Sequence, residues 1–370
     1  MKLSYLAATA CLALTLLACG DDASNPSNTG TDTQQPQDTS TVNPDKPVNP
    51  QDSLQGTTSS SSTDPVNPEL SSSSDGLLPE SSSADTSVDI PTDPYAVGTD
   101  VDEPSYKSPC TVKPLENGKG DGVYCDTTYA GPIFYDTDES AYDPTAPDFG
   151  STFVSINKVF ASLKADDKVV FVLRHADRQA SSGRTSHLTD VGIFQSQSVG
   201  AKIASAEGAY YAHSEYVRTR ETLENIAIGR GESEFVHEAY PILNGSWYIK
   251  DNAKYDEYKS QGTDMNYMVT TGWAYNGEYA DAFYDLDERT KQFVDDFLVG
   301  VISKKSRISV VCSHDQFLVP LVISISNRKI GLRYFENRDW INYLAGMAVI
   351  IGADGSQTLV PVKGLSSGTN

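Results

Sequence analysis

Apolar side chains are spread along the 370 residues in two different ways. Up to about residue 104 they are scarce, apart from an opening stretch from about Leu6 to Ala18; beyond that they recur in short blocks with strand or helix spacing. Val169-Val-Phe-Val-Leu173 is β-branched, aromatic and aliphatic throughout, and reads as a buried strand. Thr189 suits the N-cap of a helix running to about Ala206, marked by Val191, Phe194, Val199 and Ile203. Tyr210-Tyr-Ala-His213 predicts a second strand, followed by a helix opening at Ser214 and running toward Ile228. Ile308-Ser-Val-Val-Cys312 predicts a third strand, and an apolar helix begins near Gln316. Residues Trp340–Leu344 predict a last turn, and Met347–Ile351 with Thr358–Val362 an edge hairpin. Strand and helix alternate, which is the pattern of an α/β domain.

The opening stretch has Lys2 ahead of an apolar segment too short to span a bilayer, as in a secretory signal peptide. It ends in Leu16-Leu17-Ala18-Cys19, which resembles the lipobox of bacterial lipoproteins. That resemblance implies that residues 1–19 form a lipoprotein signal segment ending at Cys19, cut just ahead of Cys19, which becomes the lipidated first residue; hence export and anchoring to the bacterial cell envelope, facing periplasm or cell surface. From residue 20 to about 105 the chain is rich in Ser, Thr, Pro and Asp, with serine tracts at 59–62, 71–74 and 81–83. So few large apolar groups cannot offset the entropy of ordering the backbone, so this stretch is expected to be a disordered tether. Sixteen acidic residues lie between Asp21 and Glu103 against Lys46 alone, so most of the net charge of −22 belongs to the tether. Such acidity argues against a nucleic-acid partner.

Residues 106–370 are long enough for one α/β domain. Export makes a disulfide between Cys110 and Cys125 expected, on either side of a Gly-rich segment, whereas Cys312 inside a strand pattern suits a packed core thiol. Residues from about 229 to 287 are crowded with aromatics, among them Trp247, Tyr248, Tyr255, Trp273 and Phe283. They predict an inserted segment over the pocket, its rings either packing it onto the domain or forming a wall facing substrate.

Each of the three strand patterns ends in cationic or titratable residues. The first leads into Arg174-His175 with Arg178 three residues on, the second into Ser214 and Arg218, the third into Ser313-His314-Asp315. Parallel strands put their carboxyl ends on one side of a sheet, where ligands bind, and several guanidinium groups beside a histidine suit a phosphate-like anion. No His, Cys and carboxylate spacing in the sequence suggests a metal site, and no cofactor is required.

The fragments Leu173-Arg-His-Ala176, Leu188-Thr-Asp-Val-Gly192, Ser214-x-x-x-Arg218-Thr-x-Glu-Thr222 and Ser313-His-Asp315 together resemble the histidine phosphatase superfamily, which includes phosphoglycerate mutases and acid phosphatases. Ala176 stands where many members have glycine. The resemblance implies a mainly parallel central sheet with helices on both faces, and a phosphomonoesterase acting on small organic phosphates. It implies that His175 takes the phosphoryl group as a phosphohistidine, that Arg174, Arg178 and Arg218 clamp the phosphate oxygens, and that His314 hydrogen-bonds the transferring group. Asp315 is the implied proton donor, with Glu238 as the alternative and helix capping as another role for Asp315. Arg220, two residues from Arg218, is expected to face solvent. Mutase activity fits export less well, and a non-catalytic surface module that binds a phosphorylated ligand in the same pocket is the competing expectation. A structural surface lipoprotein is the third.

Overall fold

The computed structural model describes residues 93–116, 120–133, 142–181 and 183–370. The expected signal segment with Cys19, and the expected tether as far as residue 92, lie outside the described residues. Strands β1 (Thr111–Pro114), β2 (Asp121–Cys125) and β3 (Thr128–Ile133) form a small antiparallel sheet. Cys110 is joined to Cys125 by a disulfide, and with Val123 and Ile133 it packs on Val191 and Phe194.

The central sheet uses β4 (Val154–Ser155), β5 (Lys168–Arg174), β6 (Tyr210–His213), β7 (His237–Ala239), β8 (Ile308–Ser313), β9 (Ala345–Ile351) and β10 (Gln357–Lys363). Their spatial order is β4-β10-β9-β5-β8-β6-β7. The pairs β5–β8, β8–β6, β6–β7 and β10–β4 are parallel, and β9 runs antiparallel to both β5 and β10. Helices α1 (Ile156–Ala161), α2 (Asp190–Lys202) and α3 (Val217–Arg230) bury one face with Val169, Phe171 and Leu173. The other face, with Val170 and Val172, is covered by side chains from α4 (Asn252–Lys259), α5 (Met265–Asn276), α6 (Leu286–Gln292), α7 (Asp315–Ile325), α8 (Tyr334–Asn337) and a π-helical turn at Phe293–Val299. Burial on both faces explains why β5 is apolar at consecutive positions and does not alternate.

Three sequence expectations change. The β9–β10 hairpin is not the sheet's edge, because the two-residue β4 pairs outside β10 and β9 joins the hairpin to β5. Within the expected insertion, His237–Ala239 is a sheet strand; the inserted helices begin beyond it. Their aromatics are mostly interior: Trp247, Tyr248, Tyr255, Tyr267, Trp273 and Phe283 are buried against α7 and the sheet, and Trp273 stacks on Phe283 at 4.2 Å. The packing alternative is therefore the one these rings satisfy.

The third change is at the boundary expected near residue 105. Residues 93–106 run along the domain as an ordered strap. Tyr95 packs on Trp247 and Phe297, Gly98 N donates to Ala239 O at 2.8 Å, and Tyr106 N donates to Glu221 Oε1 at 2.6 Å. Its polar composition hides this, since the anchoring partners lie more than a hundred positions away in the chain. No helix among the described residues is long and apolar enough to cross a membrane.

Candidate active site

Because β5, β8 and β6 are adjacent and parallel, the residues that leave them share one end of the sheet. His175 N donates to Ser313 O at 3.0 Å, and Ser214 N donates to Cys312 O at 3.2 Å. The rings of His175 and His314 meet edge to face with 5.5 Å between centroids.

The His175 side chain is buried, with Nδ1 2.8 Å from the Ala176 carbonyl. A carbonyl can only accept, so Nδ1 carries the hydrogen and the lone pair sits on Nε2. Burial first, then the charges of Arg218 and Arg174, hold His175 well below the usual imidazole value. The ring is thus neutral at neutral pH and has one nucleophilic nitrogen.

Two buried guanidinium groups flank it. Arg174 Nη1 donates to Ile341 O at 2.6 Å and Nη2 to Asp315 Oδ2 at 3.1 Å, while its guanidinium lies 4.3 Å over Tyr343. Arg218, wholly buried on the first turn of α3, donates from Nη1 to Gly183 O and from Nη2 to His314 Nδ1, both at 3.1 Å. Burial, and then Arg178, push Arg218 down to about 10. Nε of both arginines is buried without a hydrogen-bond partner among the described residues. A buried cationic N–H left unmade is costly, and an anionic oxygen is the acceptor that satisfies it best.

Since arginine only donates, His314 Nδ1 must hold a lone pair, which places its hydrogen on Nε2. Nε2 lies 2.8 Å from Ser214 Oγ, Ser214 Oγ lies 2.8 Å from Thr219 Oγ1, and Thr219 Oγ1 donates to Tyr216 O at 2.7 Å. The whole chain runs in one donor direction. Both ring nitrogens of His314 are engaged here, so in this geometry it aligns Arg218. Burial and the arginines keep it well below the usual imidazole value too.

Arg178 sits where its charge reaches Arg218 and His314, and its Nη1 gathers the carbonyls of Gln179, Ala180 and Ser181 at 2.9, 3.3 and 2.7 Å. Asp315 is the first residue of α7, not its cap. Its Oδ2 accepts from Arg174 Nη2 and from Trp340 Nε1, each at 3.1 Å, and its Oδ1 accepts from Gln316 N at 2.8 Å. Glu238 is not brought to these residues by any bond it makes. From β7 it accepts from Tyr210 Oη, Tyr240 Oη and Lys305 Nζ at 2.5, 2.7 and 3.1 Å.

Arg220 departs from expectation. It is buried, not solvent-facing: it donates to the carbonyls of Val101 and Glu103 and pairs with Asp100 at 3.2 Å. The strap covers the side of α3 that the sequence suggests is open. Other site neighbours lack a sequence signal of their own: Tyr216 under Arg218 at 4.5 Å, Tyr343 under Arg174, Trp340 on Asp315 and Asp177. Burial raises Asp177 above the usual carboxylate range, although its Oδ2 accepts from Thr189 Oγ1 at 2.9 Å.

The remaining motif residues brace this arrangement. Thr222 Oγ1 accepts from Ala176 N at 3.0 Å and donates to Arg218 O at 2.7 Å, tying the end of β5 to α3. Glu221, fully buried, accepts from Tyr106 N, from Leu188 N at 2.8 Å and faces His187 Nδ1 at 2.6 Å. Thr189 caps α2 through Gly192 N at 3.0 Å, and a Cβ at Gly192 would stand 2.1 Å from Asp177 O. Glycine is needed there by close approach.

The histidine phosphatase superfamily (branch 1) model matches residues 170–352. No curated protein matches the chain. Among solved structures it is similar to phosphoglycerate mutase from Bacillus anthracis str. Sterne, at 14% identity over 54% of this chain and 94% of that one, with a TM-score of 0.38. It is similar as well to the mycobacterial glucosyl-3-phosphoglycerate phosphatase, at 13% identity over 54% of this chain and 100% of that one, TM-score 0.35. The α-ribazole phosphatase from Shigella flexneri is 15% identical over 53% of this chain and 97% of its own, TM-score 0.35. The family match spans all three strand ends that carry the histidines and the buried arginines, so over residues 170–352 the chain is similar to the histidine phosphatase superfamily, branch 1.

Proposed function

We propose that this protein hydrolyses small organic phosphate monoesters through a phosphohistidine on His175. The observation that carries the reading is one imidazole, neutral and with its free lone pair on Nε2, set between two buried guanidinium groups whose Nε–H groups lack an acceptor among the described residues. In the first half-reaction Nε2 attacks phosphorus, the bond from phosphorus to the ester oxygen breaks, and the leaving oxygen takes a proton. Water then attacks phosphorus and gives a proton back to the group that protonated the leaving oxygen, the N–P bond breaks, and phosphate leaves with His175 neutral again. Arg174, Arg178 and Arg218 supply the positive field in which charge on the phosphoryl oxygens is stabilised. No cofactor takes part in this scheme.

Asp315 is our choice of proton donor over Glu238, because it touches Arg174 within the site and Glu238 is held by two tyrosines and Lys305. We also propose that the protein is exported, that Cys19 carries the lipid anchoring it to the cell envelope, and that the residues between anchor and domain act as a spacer. Replacing Cys19 with Ala should release it from the membrane fraction.

The activity test is phosphate release from a panel of monoesters, with His175→Ala as control. Release that depends on His175, together with a phosphoenzyme labile in acid and stable in base, is the expected result. Phosphorylated ligands that bind without turnover would instead leave a binding module. For the donor, Asp315→Asn should slow an alkyl phosphate far more than an aryl phosphate, whose leaving group needs no proton. Equal losses on both would assign Asp315 to holding Arg174 alone.

A further inference from the structure

At the β6–β7 edge of the sheet, three potential metal ligands converge away from the arginine clamp. His213 lies opposite Ala239 in the parallel register, so His213 and His237 are diagonal neighbours on one face. Their Nε2 and Nδ1 atoms are 3.0 Å apart. Asp100 Oδ2, brought in by the strap, is 3.8 Å from the first and 3.9 Å from the second.

We propose that Asp100, His213 and His237 bind a divalent transition-metal ion, Zn2+ above all, with a fourth position open to solvent. Zinc takes imidazole nitrogen at ~2.0–2.1 Å, so two nitrogens on one ion stand ~3 Å or slightly more apart, as these do. The carboxylate oxygen needs to move by only about half an ångström to complete the triangle, by the same bond lengths. Two imidazoles and one carboxylate favour zinc and its transition-metal neighbours over Ca2+ or Mg2+, which prefer oxygen.

The groups around the triad orient it as ligands are oriented. His213 Nδ1 is 2.8 Å from the Ser214 carbonyl, which fixes the hydrogen there and turns the Nε2 lone pair toward His237 and Asp100. Arg220 Nη1 holds Asp100 Oδ1 at 3.2 Å, leaving Oδ2 on the imidazole side. Arg220 also opposes a nearby cation, but Glu224 lies 3.5 Å from its Nε and offsets part of its charge. His213 is wholly buried, whereas the side chains of His237 and Asp100 are 31% and 32% exposed, so an ion can enter from solvent. Cys110, Cys125 and Asp190 also lie together, but those cysteines are spent in the disulfide.

A bound ion would clip the strap to the sheet edge, one residue from Ser214 and thus from the hydrogen-bond chain to His314. The inference does not depend on the phosphatase reading, and its test avoids activity. The purified protein, without a polyhistidine tag and under non-reducing conditions, is titrated with Zn2+ and separately with Co2+. One equivalent should bind, Co2+ should develop visible absorption of a low-coordinate N/O site, and a hundredfold excess of Zn2+ over Kd should raise Tm by at least about 4 °C. His237→Ala, at a partly exposed position, should abolish all three responses, and Asp100→Ala should weaken binding at least about tenfold, as loss of one ligand does. Equal Zn2+ binding by the wild type and both variants, or no binding by the wild type, overturns the proposal.

Discussion

At the residue scale, the site is a set of enforced protonation states. His175 and His314 both have folded pKa values well below the ordinary 6.5. Between 6.5 and those lower values the unfolded chain takes up protons that the folded chain refuses, so the fold loses stability as pH falls through that window and regains it above. Denaturant unfolding from pH 7.5 down to 5 should show this decline, and His175→Gln should make it shallower. A decline of unchanged slope in the variant would remove His175 as a contributor. If the proposed phosphatase reading holds, activity should correspondingly survive below pH 6.5, because His175 stays neutral there. Arg218 offers a second prediction. Lysine keeps the charge but cannot hold Gly183 O and His314 Nδ1 together, so Arg218→Lys should lower kcat/KM by about a hundredfold or more, in line with the loss of one preorganised electrostatic group. Steady-state kinetics on an aryl phosphate would decide it.

At the element scale, strands and helices were legible wherever periodicity is local. β5, β6 and β8 and the helices that follow them coincide with their sequence patterns to within a few residues. Thr189 caps α2 as its position suggests. What escaped were elements whose identity is set by distant partners. β7 is only three residues long, and it is a strand because β6 offers it a free edge. β4 is shorter still and exists through β10. The α2–α3 contact is equally silent in the sequence: a Cβ at Gly200 would stand 2.1 Å from Ile226 O, so these helices meet backbone to backbone. Gly200→Ala must push them apart and should cost about 2–3 kcal/mol in chemical denaturation. Because α3 carries Arg218, activity should fall along with stability.

At the scale of the whole molecule, the arginine and histidine set was readable because its members follow strand ends directly, and parallel topology gathers such positions. Arg220 was misread for the converse reason. Its partners Asp100, Val101 and Glu103 belong to a stretch whose composition resembles the tether, and no local pattern connects it to α3. The same strap supplies Asp100 to the two histidines, which explains why no metal-ligand spacing is visible in the sequence. The small N-terminal sheet is held to the domain through few buried apolar groups, and the Cys110–Cys125 bridge ties its first two strands to each other. Closing a loop of 15 residues is worth about 3 kcal/mol in the chain-entropy estimate. Replacing both cysteines with serine should therefore increase proteolysis between residues 107 and 133 while leaving phosphate release nearly intact, since α2 and the sheet retain their own core.

One turn of α3 has a consequence for how this chain can change over evolutionary time. Arg218 faces His314, Arg220 the strap, Glu221 both the strap and the segment before α2, and Thr222 the residues just after β5. Every side of that turn is spoken for, so there is no direction in which a substitution drifts harmlessly. Tolerance to mutation should be lowest here and higher about two turns later at Ile228, which is 55% exposed. A saturation library across residues 217–230, scored for folded protein and for phosphate release, should trace that gradient.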